Sequence, residues 1–300
     1  MNHIIDATLH GSQQISIKQS ERSVKKIVSG VKTSDGDGVK LTRIIGSSQL
    51  DMLDPFLLLD CFESDQAEDY IGGFPTHPHR GFETVTYLLN GKMRHRDSAG
   101  NEGIIEPGGV QWMTAGKGIL HSEMPEQEDG LLKGFQLWVN LPSHAKMNEP
   151  QYQEFLPHSM ACEQLTNGGQ INVIAGTTNQ GTTGAVTNVH SEPLYLDVHL
   201  PAQQVLTQSI KLNHNAFIYV IEGEVIVQSA GNTTHIEAQK LAVLTNGEQV
   251  SLQSGLQGSR FLLIAGKPFN EPIARHGPFV MNTRDQLLQA FDDFNQGKFI

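Results

Sequence analysis

The feature that most constrains this chain is that it repeats itself on the scale of a domain. Tyr87-Leu-Leu-Asn-Gly91 returns as Tyr219-Val-Ile-Glu-Gly223, an offset of 132. IEPGGVQWMTAG from Ile105 returns as IEAQKLAVLTNG from Ile236, with Ile, Glu, Thr and Gly in the same places at an offset of 131. Two matches in the same order at nearly one spacing are improbable by chance. A period this long means two tandem domains and not a solenoid. The 300 residues are enough for two cores of medium size.

Inside each copy, short apolar runs alternate with turn residues, and 30 glycines and 13 prolines supply the turns. The stretches 56–60, 82–90, 92–97, 102–106, 110–114 and 119–124 read as strands. Asn90-Gly91 reads as a two-residue hairpin turn, Pro107-Gly108-Gly109 and 115–118 as further turns. Closely spaced short strands predict an all-β fold, with two tandem antiparallel β-barrels of jelly-roll type. A short C-terminal helix is predicted at 284–295, where Leu287, Leu288, Phe291 and Phe294 recur at helical spacing. The expected division is a polar tail over 1–22, a first barrel over 23–145 and a second over 146–300. The junction falls in 141–157, punctuated by Pro142, Pro150 and Pro157.

Charge and composition exclude several function classes. A net charge of -11 argues against direct nucleic-acid binding, which needs a basic face. The densest basic group, Arg22 with Lys25 and Lys26, reads as solvated. Cys61 and Cys162 lack CxxC spacing and suit buried thiols in a reducing compartment. No apolar run approaches the ~20 residues that span a bilayer, and MNHIIDATLHGSQQ has no secretion-signal pattern. A cytoplasmic protein is the expectation.

Chemistry concentrates at His77-Pro-His79 and His121-Ser-Glu123. On a strand, residues i and i+2 share a face, so each motif can direct two side chains into one barrel, and Pro78 stiffens the first pair. A lone His-x-His among 13 histidines would carry little. Followed by His-x-Glu in the same strand-rich module, it predicts three imidazoles and one carboxylate around one ion. That donor set suits a divalent transition metal over Ca2+ or Mg2+. The repeat acts as a control, because the aligned positions are Ser209, Lys211, Leu252 and Ser254. One site, in the first barrel, is therefore expected, with His214 and His235 as ordinary histidines.

HPHRGFETVTYLLNG from His77 and QWMTAGKGILHSEMP from Gln111 resemble the pirin family of the cupin superfamily. FQLWVNLP from Phe135, EPQYQE from Glu149 and HGPFVMNT from His276 extend the resemblance over most of the chain. It implies a bicupin with one metal in the N-terminal barrel, usually Fe(II), held by His77, His79, His121 and Glu123. Affinity alone would also admit Mn, Ni, Cu or Zn. It further implies a quercetin 2,3-dioxygenase-type reaction in which a flavonol or similar aromatic enol is opened with O2. The alternative it carries is an iron- or redox-responsive protein acting on a partner such as a transcription regulator or metabolic enzyme. Other small-molecule chemistry is also compatible with the fold. Glu123 is the candidate general base. Glu83, which a general cupin pattern would make the carboxylate ligand, is left a supporting role. Phe56, Phe74, Phe82 and Met124 are candidate pocket walls, Arg80 a candidate partner for an anionic substrate, and the acidic stretch 65–69 a candidate cover for the mouth.

Overall fold

The computed structural model describes residues 19–187, 190–229 and 231–300, so positions 1–18 of the expected tail lie outside the described residues. The described residues are strand-rich, with one α-helix among them, Arg284–Asn295, at the predicted position. A capping box joins Thr283 and Gln286 at its start. No helix among the described residues is long and apolar enough to cross a membrane.

The first half forms a seven-stranded sheet facing a four-stranded one, and the second half builds a nine-stranded sheet. These are jelly-roll layers and not closed barrels. In the first half Phe82–Asn90 is flanked by Val110–Thr114 and Leu132–Asn140. The smaller sheet places Phe74–His79 beside Ile119–Pro125, which pairs in turn with Met93–Asp97.

Asn90-Gly91 is not a hairpin. Phe82–Asn90 and Met93–Asp97 lie in different sheets, and the turn carries the chain between them, with Gly91 at φ +81°. The second half shows the same device as a bend. Asn215–Ser229 runs through Glu222-Gly223 as one strand with shifts of register on either side and Gly223 at φ +73°. Turn chemistry fixed a change of direction, and the faces needing burial selected the partners.

The halves also exchange elements. Val24–Ser29, early in the chain, pairs with Lys240–Leu244 in the sheet of the second half. Gln151–Phe155, inside the expected junction and past the expected boundary at 145, pairs with Val110–Thr114 of the first. Arg22 is docked and not solvated: it is fully buried, and its guanidinium donates to the carbonyls of His214, Lys211 and Thr245.

One apolar core joins the two halves, with Val85, Tyr87, Trp112 and Leu137 from the first meeting Tyr195, Phe217, Tyr219 and Leu262 from the second. The Tyr87 hydroxyl donates to Asp197 at 2.7 Å, and Arg260 holds the same carboxylate at 2.8 Å. Strand alternation then turns the other face of Phe82–Asn90 inward. In the second half the aligned inward positions are Ala216, Ile218 and Val220, part of an apolar core. In the first they are Thr84, Thr86 and Leu88, and the two threonines admit polar chemistry.

The C-terminal segment returns to the first half. Val280 N donates to the Arg80 carbonyl at 3.0 Å, and Arg80 itself is buried, paired with Asp293 of the helix at 2.7 Å and stacked on Phe299 at 4.4 Å. Arg80 therefore anchors the tail. Leu287 and Phe291 pack against Phe279, as helical spacing predicts, while Leu288 stays exposed.

Candidate metal centre

Antiparallel pairing places His77 opposite His121, and a shift of register after His121 brings Glu123 opposite Phe74. His77, His79 and His121 each offer a nitrogen within 4.8 Å of the others, the one such cluster of three or more among the described residues. Glu123 is not part of that group but lines the same cavity as His77 and His79. Its carboxylate is buried and held at both oxygens, by Thr86 Oγ1 at 2.5 Å and Gln136 Nε2 at 2.7 Å.

The hydrogen bonds fix which nitrogens carry lone pairs. His77 Nδ1 lies 2.8 Å from the Pro75 carbonyl and His79 Nδ1 3.4 Å from the Pro278 carbonyl. A carbonyl can only accept, so each Nδ1 donates, and a neutral imidazole then has a bare Nε2. The two Nε2 atoms face each other at 3.0 Å. Neither ring nitrogen of the buried His121 has a partner. Facing lone pairs at that distance repel unless a positive charge lies near them. Protonation is the poorer remedy. Burial, then the neighbouring His77, pushes His79 well below the usual imidazole range. Burial followed by His79, His77 and His95 does the same to His121. A cluster of neutral, orphaned nitrogens fits a transition ion. Backbone carbonyls on the outer nitrogens are the orienting contacts that metal-bound imidazoles use.

A cavity of about 560 Å³ opens above this cluster, walled by Phe74 and Trp138 among others. Phe56 is elsewhere, edge-on to Phe217 in the core between the halves. Phe82 is fully buried, 4.9 Å from the His79 ring and 4.4 Å from that of Trp138. Met124 does not line the cavity. The acidic stretch lies against Lys40 through Asp69, and none of its residues lines the cavity.

Glu83 faces away from the cluster. It follows Val85 and Tyr87 toward the junction, where Thr114 donates to it at 2.7 Å, and burial pushes its carboxyl up to about 7. It touches none of the three imidazoles. Of the candidate histidines outside the register, His235 pairs at the surface with Glu224 at 2.8 Å, and His214 is buried beside Arg22.

Several site residues were missed. Gln136 and Trp138 alternate with Phe135, Leu137 and Val139 on one strand, and that alternation was the signal that they face the site. His95, fully buried, stacks on Tyr152 at 4.9 Å and pairs with Asp97 at 3.0 Å, with its ring centre 5.4 Å from that of His121. Arg43, Asp60 and Arg275 come to the cavity from distant strands, and no local pattern marks them.

The sequence matches two family models, Pirin over residues 38–139 and the Pirin C-terminal cupin domain over 195–300. A pirin-like protein of Caulobacter vibrioides is 52% identical over 93% of this chain and 99% of its own length. A Pseudomonas aeruginosa protein provisionally named a quercetin 2,3-dioxygenase is 45% identical over 92% of this chain and 97% of its own. Among solved structures, one described as quercetin 2,3-dioxygenase from Acinetobacter baumannii superposes with a TM-score of 0.83 at 35% identity, covering 93% of this chain and 99% of that one. The chain belongs to the pirin family, and its two jelly rolls are a bicupin.

Proposed function

We propose that this pirin is a metal-dependent dioxygenase of quercetinase type, acting on a flavonol or similar aromatic enol with O2. The observation that carries the reading is the pair of imidazole Nε2 atoms at 3.0 Å with both outer nitrogens committed, beside an unpartnered His121. The names borne by the Pseudomonas and Acinetobacter relatives support the substrate class. His77, His79 and His121 would hold the ion, with Glu123 as the fourth, anionic ligand, and iron is the proposed metal. When bound, such an ion supplies Lewis acidity that favours the ionised form of an enol hydroxyl.

The chain's own residues supply the rest. Phe74 and Trp138 offer apolar walls to a planar substrate and restrict water. Glu123 is the group placed to take the proton of the enol. Thr86 and Gln136 hold its carboxylate through one hydrogen bond on each oxygen. Turning toward the ion or the substrate would exchange one of those bonds, so the two donors set how readily Glu123 changes partner. Both cysteines are free thiols, in keeping with a reducing, cytoplasmic setting.

The test is anaerobic loading with Fe(II), addition of quercetin, and admission of O2. Coupled loss of quercetin and O2, abolished by chelation, is the expected result. A loaded protein that consumes neither refutes the assignment.

A further inference from the structure

Two arginines wall the cavity, and they differ in what already binds them. Arg43 is neutralised: its Nε and Nη2 reach Asp60 at 2.9 and 2.7 Å, and Nη2 also reaches Asp35 at 2.8 Å. Arg275 has no such partner. It takes part in no ion pair among the described residues, and its Nη1 donates to the Leu57 carbonyl at 2.8 Å. Its guanidinium carbon lies 5.2 Å from the centre of the Trp138 ring. A guanidinium carries five N–H donors in a rigid fork, so stacking and one carbonyl bond orient it while leaving donors for a ligand.

The backbone beneath it is equally constrained. Ala274–His276 pairs with Phe279–Met281, and Val280 N is tied to the carbonyl of Arg80, the residue after His79. Pro278, between those short strands, supplies the carbonyl facing His79 Nδ1. The segment that orients one candidate ligand therefore also carries the cavity's unpaired cation. The Arg275 side chain is exposed at the cavity wall, where an incoming molecule can reach it without unfolding anything.

The geometry points to Arg275 as a specificity-determining residue that binds a second oxygen of an aromatic substrate, a phenol, phenolate or carboxylate remote from the enol. This inference rests on the flavonol reading above and narrows it: the favoured substrate is an aromatic enol bearing a further acidic oxygen. Charge-assisted hydrogen bonds from a fixed arginine are strong and geometrically selective. A ligand lacking the oxygen leaves the site no worse than before, because Arg275, exposed at the cavity wall, keeps the contacts it has in the free protein.

The experiment uses nickel-loaded full-length protein without O2 and follows tryptophan emission during titration with two probes. 3-Hydroxyflavone has the enol alone, and quercetin adds phenol hydroxyls. For Arg275→Gln the expected result is about tenfold weaker binding of quercetin, with 3-hydroxyflavone changed less than about twofold. Arg275→Lys should recover part of the loss, and elemental analysis should show unchanged nickel content in both variants. Equal affinities of wild type and Arg275→Gln for quercetin, or equal weakening of both probes, would overturn the assignment and leave the flavonol reading standing. If the wild-type protein binds neither probe, the flavonol reading fails and this inference fails with it.

Discussion

Replacing His121 with alanine separates the fold from the site. In the metal-free protein this side chain contributes a strained group, because both ring nitrogens are buried without partners. Each such nitrogen costs about 1–3 kcal/mol. Truncation leaves a cavity, and losses of roughly 2–5 kcal/mol are typical for large buried side chains. The two effects oppose each other, so metal-free wild type and variant should melt within a few degrees. Metal changes the comparison. Free ion at 100 times its dissociation constant stabilises the wild type by about 2.7 kcal/mol, or about 5–10 °C at roughly 2–4 °C per kcal/mol for a large chain. Loss of a direct ligand should weaken binding at least as much as loss of an orienting contact, about 10–100-fold. At the same free ion the variant then gains about 1.4 kcal/mol at tenfold weakening and about 0.4 kcal/mol at a hundredfold. The assay is differential scanning fluorimetry of chelated protein titrated with Ni2+, with far-UV circular dichroism to verify the fold. An equal rise in both proteins would refute the role of His121, and no rise in the wild type would refute the site.

Further outcomes follow from the same geometry. Thr86→Val removes the donor to Glu123 Oε1 and should weaken metal binding about 10–100-fold in competition with a chelator, with the fold retained. Glu83→Gln should leave metal content unchanged, since Glu83 faces the junction between the halves; a loss of metal would place it in the site after all. The same variant has a pH signature. The folded carboxyl titrates near 7 against an ordinary 4.5, so the folded state binds the extra proton between these values. Stability from this group is full below about 4.5 and is lost as pH rises toward 7, by roughly 3 kcal/mol at most. Urea unfolding of Glu83→Gln should lack that decline, and an identical profile in both proteins would contradict it. Tyr87→Phe removes one of the bonds to Asp197 and should cost about 1–2 kcal/mol in the same assay without affecting the metal.

The candidate ligands were legible because their signal is local. Two histidines at i and i+2 share a strand face whatever the strand pairs with, and only the adjacency of two strands remained for the fold to supply. Gln136 and Trp138 were equally available by alternation, but glutamine and tryptophan announce no chemistry alone. Partner choice was not legible. Val24–Ser29 crosses to Lys240–Leu244 because its one buried residue, Val28, completes the core between the halves, and hydrophobic pattern records the face and not the neighbour. Asn90-Gly91 misled for the same reason, since a bend between sheets and a hairpin demand the same positive φ from glycine. Arg275 belongs to the cavity only because Arg80 anchors the C-terminal tail beside His79, a contact between residues some two hundred positions apart.

The most direct test of the central claim is elemental analysis of freshly purified protein beside a His77→Ala/His121→Ala double variant, both expressed with supplemented iron. Close to one transition-metal ion per wild-type chain is expected, with near-complete loss in a variant that keeps its circular dichroism spectrum. Equal metal content in the two proteins, or none in the wild type, would contradict the claim.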